Sequence, residues 1–290
     1  MGALTLLVTG AGGFLGHAVA ESARARGHRV RTLTRRPGGD VVCDLVEDLP
    51  PAATEGIDRI LHCAAALTGD AAVMQRDTVQ ATLNVAAAGL PLVLAGSIAV
   101  YDGMAAAVDE STPLEPHPEL RDAYTRAKIA QERAAAGSAL RILRIGALWG
   151  PGQLWNAHLG PRTGPVLWRI GRGEIPLAHV RNAALAMVIA AEGTWSGTEV
   201  FNVVDDARPD ARGWLAAMKD GGFHPPFAIP LPFAALDLTA RALSPFARSL
   251  PGLLRRPTLH ARMAPRRYAN ARLHALGWAP AVSLAEGMAP

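Results

Sequence analysis

The chain has 290 residues, half of them apolar, and carries 29 Lys and Arg against 25 Asp and Glu for a formal net charge of +4. That is enough apolar material for one large α/β domain, or for a main domain with a smaller annex. The arginines are spread along the chain and form no basic stripe of the kind that tracks nucleic acid, and two cysteines, Cys43 and Cys63, are too few for a disulfide framework.

From the start, short apolar runs alternate with helical patterns, the βαβ rhythm of a parallel sheet covered on both faces. "ALTLLVT", "HRVRTL", "DRILHCAA", "PLVLAGS" and "LRILRIG" read as strands whose near-continuous apolarity suits burial on both sides. Between them, residues 14 to 26, 71 to 88 and 119 to 136 read as helices. The opening "MGALTLLVTG" has too short an apolar run and no basic flank for a signal peptide. Near residue 150 the texture changes to the Gly- and Pro-rich "WGPGQLWNAHLGPRTGP", which reads as loop. "AALAMVIAAEG" then reads as a buried helix and "EVFNVV" as a further strand, and from about Asp210 helices dominate. No stretch reaches transmembrane length, because Pro230, Pro232 and Asp237 interrupt the most apolar late segment. A reducing, cytoplasmic setting is expected. The division expected is a dinucleotide-binding core over 1–150, to which 179–204 returns, and a substrate-binding region over 151–178 and 205–290.

The first strand runs straight into "TGAGGFLG", with Gly10, Gly13 and Gly16 three apart and a helical pattern behind them. In a strand-turn-helix setting such glycines allow a tight turn, close approach of a pyrophosphate and close packing of helix on strand, while the helix N-terminus attracts the negative charge. A nicotinamide dinucleotide is therefore expected. An NAD site usually ends its second strand with an acid for the ribose hydroxyls. Here "TLTRRPGGD" offers Thr34, with Arg35 and Arg36 beside it. Planar, permanently charged guanidinium groups suit a 2′-phosphate, so NADP(H) is expected in preference to NAD(H). Further on, "AYTRAK" sets Tyr124 four residues before Lys128, on one face of a helix, where phenol and ammonium reach one small molecule.

With these motifs in order, the chain resembles the extended short-chain dehydrogenase/reductase family over nearly its whole length, its 3β-hydroxysteroid or sterol dehydrogenase branch above all. The resemblance implies a Rossmann-type, doubly wound parallel sheet with a smaller, mainly helical C-terminal substrate-binding region. "TGAGGFLG" is similar to the family's nucleotide loop, bringing Phe14 and Leu15 into the cofactor set, and "CDL" to the turn where Asp44, followed by Leu45, contacts adenine. "ILHCAAAL" is similar to the strand segment lining the cofactor, where Ala64 and Ala65 leave room for it. "GSIAVY" maps the family's serine onto Ser97, "YTRAK" matches the YxxxK signature, and Glu132 matches an acid four residues beyond the lysine.

The implied chemistry is hydride transfer between the nicotinamide and a ketone or secondary alcohol. Tyr124 would be acid and base, Lys128 would lower the phenol pKa while bonding the cofactor ribose, and Ser97 would hold the carbonyl oxygen. "RIGALWGPG" resembles the nicotinamide-side loop and brings in Trp149, while Tyr101 is expected as a pocket wall. In "PPFAIPLPFAALDLTARAL", Phe233 and Leu236, with Phe227, Leu231 and Leu238, are expected to form an apolar lid, pointing to a steroid-like or secondary-metabolite substrate. Departures from the family are Thr78 where relatives carry an asparagine, and Gly96 in place of a serine, expected to widen the pocket. His62 and His179 are expected to be packed structural residues, with no metal site. A nucleotide-sugar epimerase or dehydratase is the alternative, though only Arg172 and Arg181 stand in the segment that should clamp a diphosphate. A dinucleotide-binding sensor without turnover is the second alternative. The partner expected is a small molecule, with a homodimer through helices 71 to 88 and 119 to 136 as in relatives.

Overall fold

The structure is a computed structural model that describes residues 2–137, 139–171 and 173–289, so Arg172 lies outside the described residues. Seven strands form one sheet: β1 (Thr5–Thr9), β2 (Arg29–Thr34), β3 (Val41–Val42), β4 (Arg59–His62), β5 (Leu92–Ser97), β6 (Leu140–Ile145) and β7 (Thr198–Val203). Their order is β7-β6-β5-β4-β1-β2-β3 and every pair is parallel. This is the Rossmann-type doubly wound sheet, and its order reverses between β1 and β4.

Alternation along each strand explains why the apolar runs are continuous. On one face Leu6, Val8, Leu61, Val93, Leu143 and Val203 pack under α1 (Phe14–Ala25) and a later helix, Val180–Ala191. On the other, Leu7, Ile60, Leu92, Leu94 and Ile142 pack under α2, a helical run of Ala71–Met74, a π-helical turn Gln75–Gln80 and Ala81–Ala86, and under the end of α3 (Ala123–Ala134). Both faces being dry, both residue sets must be apolar. Helix α3 starts at Ala123, later than its pattern predicts, because Asp122 caps it by accepting from the Thr125 N–H at 2.8 Å, after the 3-10 turn Pro118–Leu120.

The region read as Gly- and Pro-rich loop is only partly so. Arg162–Thr163 and Val166–Arg169 pair antiparallel, and Val166–Arg169 pairs parallel with Phe227–Pro230. Such short strands have too few residues for a period to show. Helix α4 (Val180–Ala191) covers a face of the main sheet beside α1, and the annex adds α5 (Ala211–Asp220), α6 (Phe233–Ala242) and α7 (Arg256–Met263). Among the described residues, no helix is long and apolar enough to cross a membrane.

Candidate active site

The loop after β1 has the shape its glycines require. Gly10 sits at φ 65°, where a Cβ would lie 2.8 Å from the Ala64 backbone, and a Cβ on Gly16 would lie 2.2 Å from the Gly10 carbonyl oxygen. The first makes room above the strands, the second lets α1 close onto the turn. No side chain caps α1 at Gly13, so its first N–H groups face the space beyond β1. That space is a cavity of about 790 Å³ lined by Gly10, Gly13, Arg35, Arg36, Asp44 and Leu45, with Ala64 and Ala65 on its β4 side. Its size, the close backbone approach and the helix N-terminus fit a dinucleotide.

Two members of the expected cofactor set do other work. Leu15 points into the core below α1, and Phe14 stands about one-third exposed with its ring against Gly150. His17, Arg24, Cys43, Cys63 and Asp77 also line the cavity, which no motif in the sequence announces. Thr34 turns its hydroxyl onto the Arg36 carbonyl at 2.7 Å. Arg35 Nη1 is 3.4 Å from Asp77 Oδ2, and Asp77 also accepts from Arg76 Nε at 2.6 Å. Arg36 makes no ion pair among the described residues.

Beyond the cavity, β5 ends in Ser97, whose Oγ accepts from the Ala99 N–H at 3.2 Å and lies near enough to Tyr124 of α3 to act on its phenol. Burial pushes the Tyr124 phenol above its usual pKa, Ser97 works against that shift, and the Asp122 carboxylate adds to it. The Tyr124 phenol thus shifts upward, where the sequence reading expects Lys128 to lower it. One turn further on, Lys128 is buried and its ammonium donates to the Ala95 carbonyl at 2.8 Å and to Gln131 Oε1 at 2.7 Å. Burial lowers its pKa to about 8, against the opposing pull of Glu132 and Cys63. Glu132 itself is held by Arg144 in a buried two-pronged ion pair, 2.9 and 2.7 Å.

Several expected pocket residues are core instead. Tyr101 is 1% exposed, its hydroxyl donates to Asn202 Oδ1 at 2.6 Å and Arg144 lies over its ring at 4.5 Å. Trp149, also 1% exposed, donates to Asp205 Oδ2 at 3.0 Å and packs edge-on against Trp214 and His179. Phe233 and Leu236 face inward against Ile170, Ala240, Leu259 and Met263, so the inner stripe of α6 holds the annex together, while Leu238 and Phe227 point outward. A side chain at Gly96 would meet Ile142 and the Leu143 carbonyl, so its absence lets strands pack and does not widen the pocket. Thr78 accepts from the Ala66 N–H at 3.0 Å. His62 and His179 are packed side chains, and the described residues contain no cluster able to hold a metal.

Buried arginines escaped the sequence reading, Arg121 and Arg266 among them. Arg121 is buried and pairs with Glu115 at 2.7 Å. Arg266 is also buried; its guanidinium donates to the carbonyls of Asp102 at 2.9 Å and Ala261 at 3.5 Å and lies over the Tyr268 ring at 5.7 Å, and its Nε has no hydrogen-bond partner among the described residues.

Residues 6–203 match the profile of the NAD dependent epimerase/dehydratase family. The chain is 30% identical over 273 residues to a 3-diazoavenalumate denitrifying reductase of a Streptomyces species, spanning 80% of this chain and 86% of that protein. It is 33% identical over 231 residues to a dTDP-4-dehydrorhamnose reductase of Mycolicibacterium smegmatis (76% and 62%). A 3 beta-hydroxysteroid dehydrogenase/Delta 5-->4-isomerase of Mycobacterium tuberculosis is 28% identical over 251 residues (70% and 65%). Among solved structures, a human epimerase family protein with NADPH superposes with a TM-score of 0.69 at 20% identity, covering 98% of each chain, a likeness of fold.

Proposed function

The chain belongs to the NAD dependent epimerase/dehydratase family and is an NAD(P)-dependent oxidoreductase of the extended short-chain dehydrogenase/reductase type, and we propose that it reduces a carbonyl on a mainly apolar substrate, with NADP(H) as cofactor. The observation that carries this reading is the Ser97–Tyr124 pair at the end of β5, beside a dinucleotide-shaped cavity whose rim holds Arg35 and Arg36.

The backbone around Gly10, Gly13 and the start of α1 would hold the pyrophosphate, Asp44 and Leu45 the adenine, and Arg35 and Arg36 the 2′-phosphate. When bound, the cofactor supplies or accepts the hydride at the carbonyl carbon. Ser97 steadies the carbonyl oxygen and strengthens its bond as negative charge grows there. Tyr124 delivers its hydroxyl proton to that oxygen, so a C–H and an O–H bond form as the carbonyl double bond is lost. A phenol kept above its usual pKa by burial stays protonated at neutral pH, which favours reduction. Lys128, with its positive charge one turn away, stabilises the phenolate left on Tyr124 as the proton leaves.

The apolar substrate class draws support from the steroid dehydrogenase relative. A second reading, a substrate with an anionic group such as a nucleotide sugar, is favoured by the dTDP-sugar reductase relative and by the buried guanidinium of Arg266, whose Nε has no hydrogen-bond partner among the described residues. The cytoplasmic setting fits two free cysteines, and a homodimer through α2 and α3 fits the exposed Leu83 on α2.

The test is turnover of NADPH with a panel of cyclic and long-chain ketones beside dTDP- and UDP-linked 4-keto sugars. Tyr124→Phe should abolish turnover and leave NADPH binding within about twofold, since the phenol is assigned to the proton and not to the dinucleotide. A Tyr124→Phe protein with near wild-type kcat ends the assignment, and efficient turnover of the keto sugars alone promotes the second reading.

A further inference from the structure

The buried polar groups beyond Lys128 form one chain. Gln131 Oε1 accepts from the lysine ammonium at 2.7 Å, and Gln131 Nε2 donates to Thr82 Oγ1 at 3.0 Å. Thr82 spends its single hydroxyl proton on the Thr78 carbonyl at 2.7 Å, so its oxygen can only accept from its other neighbours. His62 Nε2, 2.9 Å away, must therefore be the protonated nitrogen, and Nδ1 accepts from the Thr9 hydroxyl at 2.7 Å. The ring is neutral, because burial and the Lys128 charge push its pKa down to about 3. Every donor and acceptor has one direction, and all five side chains are buried.

Both ends of this chain matter for position. Thr9 immediately precedes Gly10, and His62 immediately precedes Cys63 and Ala64, so the chain ends on the two strand tips that make the dinucleotide cavity. At its other end the lysine ammonium has three donors, of which Ala95 and Gln131 take two. We propose that Gln131 is a positioning residue for Lys128: anchored through Thr82 and His62 to the strands that cradle the cofactor, its side-chain carbonyl fixes the ammonium and leaves one N–H for the bound dinucleotide. This rests on the proposed function, in which Lys128 serves Tyr124.

The residue type fits the task. An amide oxygen holds the ammonium without neutralising it, whereas a carboxylate would cancel the charge that Tyr124 feels. The other titratable groups facing Lys128 are accounted for. Glu132 on its own helix is engaged by Arg144, the Cys63 thiol after β4 is pushed up to about 12 by burial and stays neutral, His62 is neutral, and Tyr124 lies one turn away on α3.

The chain contains only two lysines, Lys128 and the exposed Lys219, so side-chain carbon NMR of lysine-labelled protein resolves the Lys128 titration directly, with Lys219→Arg to assign it. Gln131→Met should move the Lys128 midpoint to lower pH by about one unit, a tenfold change in proton affinity. Thr82→Val, which loosens the anchor and keeps the amide, should move it the same way by less, and add nothing in the Gln131→Met background. Gln131→Glu should move it upward. An unmoved or raised midpoint in Gln131→Met and Thr82→Val proteins that melt like wild type overturns the proposal, and if Gln131→Met does not fold, Thr82→Val decides it alone. The titration needs no substrate, so its failure is distinct from that of the catalytic reading, which Tyr124→Phe kinetics test.

Discussion

Cofactor choice turns on a contest around Arg35. Its guanidinium leans toward Asp77 at 3.4 Å, with the arginine side chain 56% exposed and the carboxylate 17% exposed. Such a partly exposed pair contributes about 0–1 kcal/mol. A 2′-phosphate on the same guanidinium makes charge-assisted hydrogen bonds of about 1.5–3 kcal/mol, and Arg36, which has no ion-pair partner among the described residues, adds to them at no such cost. The net preference for NADPH over NADH should thus be about 1–3 kcal/mol, roughly five- to a hundredfold in affinity. Arg36→Ala should lose about tenfold of NADPH affinity and leave NADH unchanged. Asp77→Asn should act in the opposite sense, because it removes a carboxylate that both holds Arg35 and repels the phosphate, and NADPH should then bind about two- to fivefold tighter. Fluorescence titration of each variant with both cofactors reads these changes, and the preference should shrink as salt rises, since the arginines are exposed. NADH binding as tight as NADPH in the wild-type protein would refute the reasoning and show both arginines to be solvated.

Three further outcomes follow from the geometry. Gly10→Ala places a Cβ against the Ala64 backbone at a positive φ and should weaken dinucleotide binding more than about a hundredfold by titration, whereas Gly12→Ala, whose Cβ would meet nothing closer than 3.7 Å, should bind normally. Glu132→Ala strands the buried Arg144 charge and should cost about 3–5 kcal/mol in urea unfolding, much of which the Glu132→Met/Arg144→Met double variant should restore. His62 titrates at about 3 folded, from an ordinary 6.5, so the unfolded chain alone takes up a proton between those values. Its share of stability is complete above pH 6.5 and lost as pH falls toward 3, at about 1.4 kcal/mol per unit, and the pH dependence of the urea midpoint should flatten over that window in His62→Leu.

Local sequence was enough wherever a feature depends on neighbours along the chain. The strands of the main sheet are legible because burial on both faces forces unbroken apolar runs, and the loop from Gly10 to Gly16 because close backbone approach tolerates no Cβ. Tyr124 and Lys128 are legible because a helix fixes the distance between residues four apart. What a side chain faces across the fold is another matter, since it depends on residues far away in the chain. Trp149 and Tyr101 look like pocket aromatics until Asp205 and Asn202, 56 and 101 residues later, are found to accept their polar hydrogens. Phe233 and Leu236 look like a lid until α7 closes over them. Gln131 carries no motif at all, and only the meeting of α3, α2, β4 and β1 gives its amide both an ammonium to hold and an anchor to hold it from. Periodicity reports which face of an element is dry; the identity of the group across that dry space is set by tertiary packing, and there the chemistry of this site was decided.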